Sequence, residues 1–250
     1  MALVKSQKEI EKVRESCRIV SDVLKYIGSF VQEGVTTGEL DKLIESFILS
    51  KGGRPAFKGY RVRKRVFPAS SCISVNEEVV HGIPGGRKLK SGDIVSIDVG
   101  VEKDGYYGDS AYTFAVGKIS PKKQRLLKVT EESLYKGIGK AVEGNEVNDI
   151  GSAVQNYVEG SGFHVVRTLV GHGIGKKLHE EPSVPNYYVP GASQKLFEGM
   201  LLAIEPMVNY GTEVVYEEED GWTIVTADMQ DSAHFEHTVL IGKDKAEILT

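Results

Sequence analysis

Cysteine is scarce: the 250 residues contain two, Cys17 and Cys72, and neither belongs to a CxxC pair. That count excludes a disulfide framework and points to a reducing compartment. No run approaches the ~18 apolar residues of a membrane span. The stretch from Met1 to Arg14 is charged and lacks the apolar core of a secretory signal. The expected location is therefore the cytoplasm, with no membrane partner. An excess of positive charge is missing as well. The net charge is -4, so no dominant cationic field is available to grip nucleic acid or an anionic membrane. One local exception is the basic run Arg61-Val62-Arg63-Lys64-Arg65. It reads as a solvated loop, with a transient RNA or ribosome contact as the sharper alternative.

What is present is the composition of a globular protein, 40% hydrophobic and 26% charged. A chain of this length buries roughly 70–75% of its unfolded surface, enough for a core without covalent staples. Ile10, Val13, Cys17, Val20, Leu24, Ile27 and Val31 recur at steps of three and four and predict a first helix. A capping box, Thr36 to Glu39, predicts a second, with Leu40, Leu43, Ile44, Phe47 and Ile48 inward and a stop at Gly52-Gly53. Ser120-Pro121 opens a third, continued by Leu126, Leu127, Leu134 and Ile138.

The pattern then repeats. Glu33-Gly34 matches Glu143-Gly144, and Leu40, Ile44, Phe47 and Ile48 match Ile150, Val154, Tyr157 and Val158 at one constant offset, as Gly52 matches Gly162. Two apolar strands follow suit: Gly92 to Asp98 parallels Gly199 to Glu205, and Ala111 to Gly117 parallels Glu236 to Gly242. A period this long predicts a duplicated half-domain rather than a solenoid. The halves run about 10–117 and 121–243 within a single domain, 1–250. The expected architecture is α+β, with helices on one face of a curved, largely antiparallel sheet and the other face free for a site.

Strand alternation separates the carboxylates from the core. Val95, Ile97, Val99 and Val101 share one face, and Asp98 lies on the other with Ser96 and Gly100. Asp109 lies opposite Ser110, Tyr112, Phe114 and Val116. Glu205 lies between Ile204 and Pro206, and Glu236 alternates with Phe235 and His237. Each is embedded in apolar sequence without a lysine or arginine in the same short strand, so each must be paired, hydrogen-bonded or metal-bound. His172 stands in Gly171-His172-Gly173-Ile174-Gly175, its imidazole unobstructed. Four carboxylates and one imidazole suit a pair of divalent ions such as Mn, Fe, Co or Zn.

With those residues in place the chain resembles the type I methionine aminopeptidases, over about residues 7–241. The matching motifs are His81-Gly82-Ile83-Pro84, Ser96-Ile97-Asp98-Val99-Gly100, Gly108-Asp109, Gly171-His172-Gly173-Ile174-Gly175, His179-Glu180-Glu181-Pro182, Ile204-Glu205-Pro206 and Glu236-His237-Thr238. The resemblance implies the pita-bread fold, with two pseudo-twofold-related halves. It implies Asp98, Asp109, His172, Glu205 and Glu236 as ligands of two divalent metals, with Asp98 and Glu236 bidentate or bridging. It implies His81 and His179 as catalytic histidines that contact substrate, and Glu205 as the group that takes and returns a proton. Activated hydroxide would attack the scissile amide and release the initiator methionine of nascent polypeptides, preferably before a small second residue. Cys72, Phe67, Tyr60 and Trp222 are the implied walls of the methionine pocket. A monomer is expected.

The chain departs from the family pattern in two places. The stretch from Arg61 to Val66 lengthens the loop between Tyr60 and Phe67, and Leu178 stands before His179 where many members carry an aromatic. An X-prolyl peptidase is disfavoured because such enzymes usually add a large N-terminal domain. A binding protein on the same fold is disfavoured because every ligand position is filled.

Overall fold

The computed structural model describes residues 3–250. Helix α1 spans Gln7–Gly28 and α2 spans Thr37–Ser50. Both start on a capping box, Ser6 with Glu9 and Thr36 with Glu39, which satisfies donors the helix leaves free. The apolar stripe of α1 is where the periodicity puts it, but the helix ends at Gly28, three residues before Val31. The Ser29 N–H and hydroxyl turn back onto the carbonyl of Tyr26 and close the last turn. Helix α3, Pro121–Ile138, and α4, Val147–Gly160, occupy the corresponding places in the second half.

The repeat is visible in the backbone. Gly34 and Gly144 sit at φ +90° and +89°, Gly52 and Gly162 at +73° and +80°, and Gly92 and Gly199 at +98° and +88°. These left-handed turns accept glycine without a Cβ penalty. Angles within 10° of each other at matched positions mean that the two halves turn in the same way. Even isolated bridges correspond: Thr36 pairs with Lys88, and Glu146 with Lys195.

In the first half Ile94–Lys103 pairs antiparallel with Cys72–Val75 along one edge and with Tyr106–Ala115 along the other. Val95, Ile97, Val99 and Val101 pack with Val20, Val23, Ile27, Leu40, Ile44 and Ile48 of α1 and α2. In the second half a five-stranded antiparallel sheet runs Glu180–Val184, Gly171–Gly173, Leu201–Ile204, His237–Leu240, Glu247–Ile248. Leu202, Ile204 and Val239 pack with the buried faces of α3 and α4.

The halves are joined at Tyr106–Ala115. The Thr238 hydroxyl donates to the Asp109 carbonyl at 2.7 Å, the Glu236 N–H to the Ala111 carbonyl at 3.0 Å, and the Thr113 hydroxyl to the His234 carbonyl at 2.7 Å. Helices cover the outer faces, and the inner faces meet over one cleft. Among the described residues no helix is long and apolar enough to cross a membrane.

Candidate metal centre and methionine pocket

The cleft holds about 680 Å³ and is lined by every residue the sequence places in the site: Tyr60, Phe67, Cys72, His81, Asp98, Asp109, His172, His179, Glu205, Trp222 and Glu236. Backbone register explains the convergence. Cys72, Asp98 and Ala111 lie side by side across three strands, and Gly100 stands opposite Asp109. Both aspartates therefore leave the sheet on the face away from α1 and α2. His172 arrives from the second sheet, where it pairs with Ala203. A Cβ at Gly171 would lie 2.3 Å from the Ala203 carbonyl, and one at Gly173 would lie 2.1 Å from that of Glu181. Only glycine on both sides lets this strand come close enough.

The two glutamates are positioned differently. Leu201–Ile204 ends at Glu205-Pro206 before Met207–Asn209 joins another sheet, and Ser232–His234 and His237–Leu240 likewise belong to different sheets. Glu205 and Glu236 stand at the two places where a strand changes sheets. Pro206, with no N–H, suits the break. The alternation read across Phe235, Glu236 and His237 is thus interrupted, because residues 232–239 are buried on both faces apart from His237.

Oxygens and nitrogens crowd together here. His172 Nε2 lies 3.5 Å from Glu205 Oε1 and 4.0 Å from Asp109 Oδ2. Asp109, His172 and Glu236 each offer a ligand atom within 4.8 Å of the others, and so do Asp98, His234 and Glu236. Asp98 Oδ1, Asp109 Oδ1 and Glu236 Oε1 are buried without a hydrogen-bond partner. Among the described residues no lysine or arginine pairs with any of the four carboxylates. Burial first, then mutual repulsion, pushes the pKa of Asp98, Glu205 and Glu236 well up, and burial raises Asp109. Buried orphan carboxylate oxygens with no basic partner are what a divalent cation satisfies. His172 Nδ1 lies 2.9 Å from the Gly173 carbonyl, which orients the ring and leaves Nε2 to face the acids. Burial, with His179 nearby, takes the His172 pKa down to about 3, so its nitrogen stays neutral and able to ligate.

His234 was not singled out from the sequence. It is 1% exposed, with Nε2 3.9 Å from Glu236 Oε2. Its two-residue spacing from Glu236 was the available signal, and the change of sheets between them hid it.

Around the acids stand groups able to hold a peptide. His81 adopts φ +60°, a backbone conformation uncommon for a side-chain-bearing residue. A Cβ on the following Gly82 would lie 2.4 Å from the Ile73 carbonyl. Burial, with His179 adding to it, lowers the His81 pKa to about 4. His179 is open to the cleft on one side and crowded on the other. Its ring stands edge-on to His172 with centroids 4.3 Å apart, and its Nδ1 lies 2.6 Å from the Tyr60 hydroxyl. This partial desolvation lowers its pKa. Phe67 and Trp222 meet edge to face at 5.2 Å, and Phe67, Cys72 and Leu178 belong to one apolar cluster with Phe57. Tyr60, a pocket wall by the implication of the family resemblance, directs its polar end to His179.

Two related half-sheets enclosing a carboxylate–histidine cluster make the architecture of a metallopeptidase of the pita-bread fold. The chain belongs to metallopeptidase family M24, whose family model matches residues 11–243. It is 50% identical over 250 residues to the methionine aminopeptidase of Clostridium perfringens, covering 100% of this chain and 99% of that protein. The crystal structure of methionine aminopeptidase from Rickettsia prowazekii superposes with a TM-score of 0.95 at 40% identity, each chain covered in full. That of the Thermotoga maritima enzyme gives 0.95 at 43%, covering 100% and 99%. Membership of this family implies use of a divalent metal.

Proposed function

We propose that this chain is a methionine aminopeptidase whose cleft removes the N-terminal methionine of polypeptides, and that residues 1–250 work as one catalytic domain. The observation that carries the reading is the set of buried, unpartnered oxygens on Asp98, Asp109 and Glu236, opposite the neutral His172. Asp98, Asp109, His172, Glu205 and Glu236 would hold two divalent ions, with Mn, Fe, Co and Zn all suited to the donor set. When bound, such ions supply Lewis-acid activation of water and of the peptide carbonyl.

The remaining roles belong to this chain's own side chains. Glu205, with its pKa raised by burial, accepts a proton from the attacking water and returns it to the leaving amine. His179, neutral and held at Nδ1 by Tyr60, presents Nε2 to the carbonyl oxygen, where it donates as negative charge develops. Neutral His81 donates to the scissile amide. Cys72, Phe67, Leu178 and Trp222 form a soft apolar pocket that suits a thioether.

In the cell the natural substrates are nascent chains with a small second residue, met in the cytoplasm by a monomer. The basic run Arg61 to Arg65 supports a transient ribosome contact. Hydrolysis of a Met-Ala-Ser peptide by metal-loaded protein, abolished by chelator and restored by Mn, Fe, Co or Zn, is the expected result. Inactivity with all four ions would overturn the reading.

A further inference from the structure

The segment between Tyr60 and Phe67 is a hairpin. Arg61–Val62 pairs antiparallel with Arg65–Val66 across Arg63 and Lys64, and Arg63 takes φ +54° at the turn. All six residues from Arg61 to Val66 are exposed. A lone two-stranded ribbon is marginally stable in water, so its ends must be held. The site itself holds them. The Phe67 N–H donates to the Tyr60 carbonyl at 2.9 Å, Phe67 packs on Trp222, and the Tyr60 hydroxyl meets His179. Arg65 reaches into the second half, where it donates to Glu217 at 2.6 Å and to the Gly221 carbonyl. Gly221, at the φ of +75° that favours glycine, lies directly against the Arg65 guanidinium.

Arg65 is thus a fastener. Arg61, Arg63 and Lys64 are different: among the described residues they have no ion-pair partner. Among the described residues the acidic run beyond Glu217 makes no ion pair with them. Glu218, Glu219 and Asp220 line a separate hollow with Glu77 and Glu78. The Asp220 carboxylate is taken by the N–H groups of Trp222 and Thr223 and by the Thr223 hydroxyl. Val62, between the cations, lines the catalytic cleft.

We propose that this hairpin is a specificity-determining lip, which binds the substrate beyond its second residue and selects for acidic side chains there. The inference rests on the aminopeptidase reading above. A substrate whose first side chain fills the pocket beside Cys72, Phe67 and Trp222 must leave by the mouth of the cleft, and Val62 lies along that exit. Carboxylates on the departing stretch then meet Arg61, Arg63 and Lys64, and guanidinium groups match carboxylates in a bidentate fork. These contacts are at the solvent-exposed rim, so they are individually weak and screened by salt.

The test uses metal-loaded full-length protein and matched peptides that begin Met-Ala-Ser and continue with acidic, neutral or basic residues. At low salt kcat/KM for the acidic peptide should exceed that for the neutral one by about three- to tenfold, mostly through KM. High salt should bring the ratio close to one, a measurement that needs no variant. In the double variant Arg63→Glu, Lys64→Glu the order of acidic and basic peptides should invert. A wild-type ratio of one at low salt, or a ratio unmoved by both salt and the double substitution, would overturn the proposal. Loss of ribosome binding by the double variant without any acidic preference in the wild type would overturn it in favour of RNA phosphates. Failure to cleave even the neutral peptide would be a separate outcome, removing the aminopeptidase reading and this inference with it.

Discussion

Tyr60 Oη lies 2.6 Å from His179 Nδ1, and this contact ties the tautomer of a cleft histidine to the foot of the basic hairpin. Burial raises the Tyr60 pKa, so the phenol keeps its proton, and a hydrogen bond donated from it to Nδ1 is the arrangement that serves the proposed role of His179. The hydrogen on the His179 ring is then on Nε2. Replacing Tyr60 with Phe removes that instruction and leaves the packing. We expect kcat on a methionyl peptide to fall about three- to tenfold, the worth of one neutral hydrogen bond, with KM nearly unchanged. Unaltered kcat would remove Tyr60 from the mechanism.

Substitutions among the acids should split metal binding from chemistry. In Asp109→Asn a crowded charge is lost, so the metal-free protein should melt higher while the stabilisation on adding metal shrinks. Glu205→Gln keeps a neutral oxygen ligand but cannot take a proton. Turnover should drop about 10²–10⁴-fold while metal content stays near that of wild type. Calorimetric melts with and without metal, beside peptide assays, read both effects.

Metal binding should release protons. Folding raises the pKa of Asp98, Asp109, Glu205 and Glu236, so without a cation these groups retain protons above the ordinary carboxylate range. His172, lowered to about 3, has none to give near neutrality. A cation must displace the carboxylate protons, so affinity should rise with pH from the ordinary carboxylate range toward neutrality. Titration calorimetry in buffers of different ionisation enthalpy measures the number released. A count of zero at mildly acidic pH would contradict the crowded-carboxylate picture.

Gly82 holds His81 in place. The added methyl of Gly82→Ala would meet the Ile73 carbonyl at 2.4 Å, so backbone has to move. A loss of ~2 kcal/mol in stability is expected, with a fall in activity that remains after correction for the folded fraction. Activity falling only in proportion to unfolding would mean that the φ of His81 is incidental.

Much of this site was legible in the sequence because strand alternation is strict where a sheet has one helix-covered face. Asp98 and Asp109 could be placed on the open face for that reason. The matched strands Gly92 to Asp98 and Gly199 to Glu205, each a glycine followed six residues later by a carboxylate, marked Glu205 as the counterpart of Asp98. Other features were hidden because they depend on breaks in regular structure. Glu205 and Glu236 sit where strands change sheets, and no periodicity encodes that. His234 reaches Glu236 across the same break. The end of α1 at Gly28 rather than Val31 depends on a local cap, since Val31 still packs on the core after the helix has stopped. The hairpin from Arg61 to Val66 read as a solvated loop, and only the structure shows its two ends fastened to His179 and Trp222.

Five side chains from two related halves are proposed to hold two cations together. Anomalous diffraction from metal-soaked crystals, collected on either side of the Mn, Fe, Co and Zn absorption edges, tests it most directly. The expected result is two peaks about 3.5–4 Å apart, enclosed by Asp98, Asp109, His172, Glu205 and Glu236. No peak among these residues at saturating metal, or a single ion bound elsewhere in the cleft, would contradict it.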